Sequence, residues 1–227
     1  MLERVSTAAI IVAAGAGERL GAGLPKALVH LGGQPMIARA ASAFVASASV
    51  EQIVVVAPPK FTDALHEHVP AEVQVVPGGA TRQLSVTAGL DTLGPDVRVV
   101  AVHDAARPLV TPELIDRTVA ALRPPWDAVA PALAVVDTLK AVDNRGVVLR
   151  TIDRTGVWAV QTPQVSSRAA LERVHARVAS DIGAATDDLS LVERAGGRVL
   201  LIEGDPANFK ITHPVDLVLA TRLVTSP

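Results

Sequence analysis

The chain has 227 residues, a formal net charge of −2, no cysteine and 2% aromatic residues. That length holds one α/β domain over residues 1–227, while the charge excludes a nucleic-acid or membrane-surface role, the missing cysteines exclude disulfides and thiolate chemistry, and scarce aromatics exclude a base-stacking platform. A cysteine-free chain agrees with a cytoplasmic location, the first four residues do not read as a signal peptide, and no apolar run is long enough to span a bilayer.

Short Val- and Ile-rich runs at residues 8–13, 52–57, 73–76, 97–102 and 127–133 read as strands buried on both faces. Between them, residues 35–46, 60–68, 81–92 and 112–122 carry helical signals, with Pro35 and Pro112 at first-turn positions. This alternation predicts a Rossmann-like, mostly parallel sheet with helices on both faces, which collects ligands at the carboxyl ends of its strands.

The first run stops at Ala13-Ala14-Gly15-Ala16-Gly17-Glu18-Arg19 and continues to Pro25-Lys26-Ala27. Glycines let backbone N–H groups approach an anion, and Arg19 and Lys26 add the charge that glycine lacks, so the stretch reads as a phosphate cradle. The dinucleotide fingerprint does not fit, because Gly21 comes one place late and the second strand ends in Val56-Ala57-Pro58-Pro59 without a carboxylate. The P-loop does not fit either, because Lys26 follows a proline. Pro25 disfavours a helical Leu24, so residues 15–24 are expected to form a long open loop around a triphosphate.

After the third run, Pro77-Gly78-Gly79-Ala80-Thr81-Arg82 leads into a helix with Ser85 one turn in, a second loop suited to ligand contact. The fourth run ends in His103-Asp104-Ala105-Ala106-Arg107. Asp104, a carboxylate at a central strand end beside a triphosphate site, is the expected ligand for Mg²⁺, and Arg107 suits an anion. His103 reads as an ordinary hydrogen-bonded histidine.

Residues 136–142 and 147–152 flank the turn Asp143-Asn144-Arg145-Gly146 and predict a projecting β-hairpin. A hairpin outside the sheet must bury its apolar face elsewhere, so residues 137–153 are expected to be the exchanged arm of a homodimer. Helical signals resume over 167–179, Thr186 is the expected N-cap of a helix ending at 195, residues 199–203 read as a strand, and residues 214–224 close the chain as a helix.

The opening strand with Ala-Ala-Gly-x-Gly-x-Arg and Pro-Lys resembles the signature of nucleotidyltransferases that join NTPs to sugar phosphates. Adding His103 to Pro108, Asp137-Thr138-Leu139-Lys140, Arg154 to Trp158, Gln161-Thr162-Pro163-Gln164, Thr186-Asp187-Asp188 and Asn208-Phe209-Lys210, the chain resembles the 2-C-methyl-D-erythritol 4-phosphate cytidylyltransferase family nearly end to end. The resemblance implies the nucleotide-diphospho-sugar transferase type of fold and transfer of a cytidylyl group from CTP to methylerythritol phosphate in the non-mevalonate pathway. It implies a nucleotide site made of Ala13, Ala14, Gly15, Ala16, Gly17, Gly79, Arg82, Ser85 and Asp104, in which backbone amides and the Ser85 hydroxyl hold the cytosine. Arg19, Lys26 and Lys210 are the implied catalytic cations. Arg107, Thr138, Arg154, Thr162, Thr186 and Lys210 are implied at the sugar phosphate, with Asp187 near its hydroxyls, and some arm residues act across the dimer. Many members have Gln where this chain has Ala27, a difference that preserves Lys26. The expected form is the one without the later cyclase of the pathway. A ribitol 5-phosphate cytidylyltransferase and a catalytically silent nucleotide-binding regulator stand as alternatives.

Overall fold

A strand turns successive side chains to opposite faces, so one that is apolar at every position needs cover on both sides. The computed structural model, which describes residues 6–14, 24–181 and 187–225, supplies that cover. In chain order its elements are β1 (Ser6–Val12), β2 (His30–Leu31), β3 (Gln34–Pro35), α1 (Met36–Val45), β4 (Gln52–Ala57), α2 (Thr62–His66), β5 (Gln74–Pro77), α3 (Arg82–Leu90), β6 (Val97–Asp104), α4 (Pro112–Ala121), β7 (Ala128–Ala134), β8 (Leu139–Val142), β9 (Val148–Ile152), β10 (Trp158–Val160), β11 (Gln164–Ser167), α5 (Arg168–Asp181), α6 (Asp188–Arg194), β12 (Val199–Glu203) and α7 (Pro214–Thr225).

Eight strands form one sheet in the order β10-β7-β11-β6-β1-β4-β5, with β12 joined to β7. The run β6-β1-β4-β5 is parallel, as is the pair β7-β12, whereas β11 runs antiparallel between β6 and β7 and β10 antiparallel to β7. Ala9, Ile11 and Val55 pack on one face with Ile37 and Phe44 of α1, Leu65 of α2 and Ile115 of α4. Ala8, Ile10, Val54 and Val56 pack on the other with Val86 of α3, Leu171 of α5 and Val192 of α6. Each large apolar side chain buried this way contributes about 1.5–3 kcal/mol. Helix α3 lies so close to β1 that a Cβ at Gly89 would come within 2.7 Å of Ile10 Cγ2, which is why glycine stands there.

The predicted strands and helices are present, with differences that have local causes. Residues 60–68 form a 3₁₀ turn and a five-residue helix, and Pro35 ends β3 at the N-cap position of α1. The N-cap of α6 is Asp187, whose Oδ1 accepts from the Ser190 N–H at 3.0 Å, so the expectation of Thr186 is corrected; Thr186 itself lies outside the described residues. The strands β10 and β11 had no signal in the sequence, because three or four residues are too few for a periodic pattern.

Residues 139–152 pair as a hairpin, Lys140 opposite Thr151 and Ala141 opposite Arg150, in a two-stranded sheet of its own. Val142, Val147, Val148 and Leu149 on it are all more than half exposed. Among the described residues, no helix is long and apolar enough to cross a membrane.

Candidate active site

Asp104 is the last residue of β6 and the register partner of Val12, the last residue of β1. Ala13 and Ala14 follow at once, with the Ala13 N–H given to Val56 O at 2.9 Å and the Ala105 N–H to Val12 O at 3.1 Å, so the chain leaves β1 at the same strand end that carries Asp104. Parallel pairing of the two strands is what brings Ala13, Ala14 and Asp104 to one edge. Gly15, Ala16, Gly17 and Arg19 lie outside the described residues. Lys26 opens a 3₁₀ turn behind Pro25, and its charge helps hold the Asp216 carboxyl below the usual range, after the stronger hydrogen bonds from the His213 and Thr212 N–H groups.

Two cations reach Asp104. Lys210 Nζ donates to Oδ2 at 2.7 Å, and Arg82 Nε lies 3.5 Å from Oδ1. Burial pushes the Asp104 carboxyl up, but Arg82 and Lys210 outweigh it and bring the group down to about 2. Asp104 is therefore ionised at any physiological pH. Among the described residues, no three His, Cys, Asp or Glu groups converge to hold a metal, and the carboxylate that could meet a divalent ion at this strand end is Asp104. That donor set suits Mg²⁺, which binds one or two carboxylates and completes its shell with phosphate oxygens and water.

Behind Asp104, His103 is buried and burial holds its imidazole down to about 4, against the opposing pull of Asp104. The Arg107 carbonyl 3.2 Å from His103 Nε2 can only accept, so Nε2 carries the proton and Nδ1 accepts from the Thr162 hydroxyl at 2.9 Å. Thr162 Oγ1 accepts in turn from the Asp104 N–H at 3.1 Å. Thr162 is thus 4% exposed and occupied in holding the backbone of Asp104. Arg107 gives Nη1 to Asn208 O at 2.8 Å and Nη2 to Val160 O at 3.2 Å, tying β10 and the Lys210 loop to the same wall. Both residues, implied at the sugar phosphate, stand beside Asp104 with their polar atoms largely engaged within the protein.

Ser85 departs from the expectation. Its side chain is fully buried, its hydroxyl donates to Thr81 O at 2.9 Å and accepts from the Gly79 N–H at 3.2 Å. It shapes the Gly78-Gly79 loop and does not face open space. The loop passes so near α3 that a Cβ at Gly79 would collide with Leu84 Cβ.

Asp187, expected near sugar hydroxyls, spends Oδ1 on the helix cap and Oδ2 on Gln164 Nε2 at 2.9 Å. Its neighbour Asp188 is the residue connected to the site. Asp188 Oδ2 receives Arg82 Nη1 at 2.7 Å and Oδ1 receives His175 Nε2 at 2.9 Å. Sequence reasoning missed this pair, since adjacent aspartates look alike until helix geometry turns one outward and the other in. Thr138 and Arg154 lie exposed on either side of the hairpin.

A family model described as IspD: 2-C-methyl-D-erythritol 4-phosphate cytidylyltransferase matches residues 7–226. The curated 2-C-methyl-D-erythritol 4-phosphate cytidylyltransferase of Frankia casuarinae is 49% identical over 217 residues, covering 96% of this chain and 80% of its own length. The crystal structure of the protein of that name from Thermus thermophilus is 34% identical and superposes with a TM-score of 0.79 over 98% of this chain and 99% of its own. The 4-diphosphocytidyl-2C-methyl-D-erythritol synthase of Anaerococcus prevotii gives a TM-score of 0.86 at 27% identity, covering 99% of this chain and 98% of its own.

Proposed function

The chain belongs to the 2-C-methyl-D-erythritol 4-phosphate cytidylyltransferase family, and we propose that its reaction takes place at the strand edge around Asp104. It transfers a cytidylyl group from CTP to 2-C-methyl-D-erythritol 4-phosphate, giving 4-diphosphocytidyl-2-C-methyl-D-erythritol and pyrophosphate for isoprenoid precursor synthesis. The observation that carries the placement is the register of Val12 with Asp104, which sets the exit to the glycine-rich stretch beside the ionised carboxylate.

A phosphate monoester is largely dianionic at neutral pH, so the substrate needs no general base. One of its oxygens bonds to the α-phosphorus of CTP in line, while the bond to the bridging oxygen breaks and pyrophosphate leaves with the electron pair. The barrier is mainly repulsion between anions, which positioned cations oppose. Residues 13–17, Arg19 and Lys26 hold the triphosphate and stabilise the leaving charge. Lys210, adjacent to Asp104, draws in the incoming phosphate, with Arg107 and Thr162 in the wall beside it. Asp104 would hold Mg²⁺, which would supply positive charge to the phosphates. The cytosine lies against the backbone of the Gly78-Gly79 loop, fixed from below by Ser85.

The exposed valines and leucine of the hairpin support its role as a dimerisation arm, 137–153, with Thr138 on it and Arg154 directly after it reaching the sugar phosphate. Thr186 belongs to the same sugar-phosphate set. The cysteine-free composition supports a cytoplasmic location.

Pyrophosphate release measured with Mg²⁺, crossing CTP, UTP and ATP against methylerythritol phosphate and ribitol 5-phosphate, tests the substrate pair. Preference for CTP with methylerythritol phosphate is expected. Faster turnover of ribitol 5-phosphate, or no release with any pair, would overturn the reading.

A further inference from the structure

The Arg82 guanidinium touches two carboxylates from different directions, Asp104 at the pocket and Asp188 behind it. Asp188 is 1% exposed, and its surroundings are built for an ion: Arg82 Nη1 at 2.7 Å, His175 Nε2 at 2.9 Å, and its own N–H held by Gln164 Oε1 at 3.1 Å. His175 is itself buried, with Nδ1 3.4 Å from Thr87 Oγ1 of α3. An ion pair at this depth is a poor way to pack α3, α5 and α6 together, since well-fitted apolar side chains serve as well or better. It is a good way to aim a long side chain. Arg82 loses most of its rotamer freedom when fixed, and an anchor behind the pocket meets that cost before any ligand arrives.

We propose that Asp188 is a positioning residue, which holds the Arg82 guanidinium at the triphosphate edge of the pocket while His175 steadies Asp188 from behind. The inference rests on the reading of the Asp104 edge as the CTP site. It separates the duties of the two cations on Asp104. Lys210 pairs with Asp104 from a half-exposed position, from which its long stem can turn to an incoming phosphate. Arg82 is held more closely by Asp188 than by Asp104, 2.7 Å against 3.5 Å, and so keeps its place when the charge on Asp104 is engaged by a ligand.

The test is calorimetric titration of Mg²⁺-CTP into the full-length wild type, Arg82→Ala, Asp188→Asn and the double variant, with KM for both substrates measured alongside. Arg82→Ala and Asp188→Asn are each expected to weaken CTP binding roughly tenfold, the usual loss when a group orienting a binding residue is removed. The sugar-phosphate KM is expected to stay within about threefold by the same comparison, and the double variant to bind CTP no more weakly than Arg82→Ala alone. Additive losses, unchanged affinity in either single variant, or equal rises in both KM values would overturn the proposal. If Asp188→Asn does not fold, His175→Leu replaces it: weaker CTP binding in the Arg82 protein and no further loss in Arg82→Ala is expected, and an equal loss in both backgrounds overturns it. A wild type that binds no Mg²⁺-CTP refutes the location of the nucleotide site instead, which keeps the two failures apart.

Discussion

Lys210 Nζ lies 2.7 Å from Asp104 Oδ2, although 106 positions separate the two residues in the chain. The contact joins the end of the central strand β6 to the loop before α7, and it puts a long-stemmed ammonium beside the carboxylate proposed to hold the divalent ion. Removing the Lys210 charge should spare the fold, because Lys210 is half exposed at the rim, and removing either charge should strike the reaction. Lys210→Ala and Asp104→Asn are each expected to lower kcat on the order of 10²-fold or more, with the Lys210→Ala melt close to wild type and the Asp104→Asn melt lower, since the ionised Asp104 stabilises the fold. Near wild-type turnover in a pyrophosphate-release assay would count against both assignments.

Lys26→Ala removes a cation from the turn that follows the glycine-rich stretch. Turnover should again fall on the order of 10²-fold while circular dichroism and melting stay near wild type. Single-turnover mixing with excess enzyme distinguishes a lost chemical step from slow product release; a normal single-turnover rate would remove Lys26 from the mechanism.

His103 makes stability sensitive to mild acid. Its folded-state pKa of about 4 is below the unfolded 6.5, so between these values the unfolded chain binds more protons and stability falls as pH falls; above 6.5 the residue contributes no slope. At about 1.4 kcal/mol per tenfold, the drop between pH 6.5 and pH 4 amounts to about 3 kcal/mol. Asp104 adds a second loss at lower pH, since a carboxyl near 2 in the fold and 3.8 outside it stabilises only above that window. Urea unfolding from about pH 4 to pH 7 is expected to show the first decline in wild type and a flatter profile in His103→Gln. Parallel profiles would mean that His103 is not the group responsible.

Ser85→Ala leaves the Gly79 N–H without its partner inside the loop. An orphaned donor costs about 1–3 kcal/mol, and the loop it shapes faces the proposed cytosine. CTP KM should rise more than the sugar-phosphate KM. Equal KM values in mutant and wild type would detach Ser85 from nucleotide binding.

The hairpin should fail as an arm when its apolar face is charged. Leu149→Glu, at a position 67% exposed in the single chain, is expected to convert a dimer to a monomer in light scattering at micromolar concentration. Activity should fall with it. A wild-type chain that is already monomeric would refute the exchange of arms.

Much of this protein follows from local pattern. Uninterrupted apolar runs such as Ile10-Ile11-Val12 identify strands covered on both faces, because only a central parallel strand leaves no polar side, and Asp104 could be singled out from its place after such a run. The tertiary structure alone decided what those groups do to one another. Sequence cannot tell that Asp187 caps a helix while Asp188 turns inward to Arg82, or that the Ser85 hydroxyl is spent on its own loop. Such outcomes depend on which helix crosses which strand end, and on hydrogen bonds between residues 58 to 106 positions apart, as in Thr162 with Asp104 and Arg82 with Asp188. A short-range pattern carries no information about partners that only folding brings within about 3 Å.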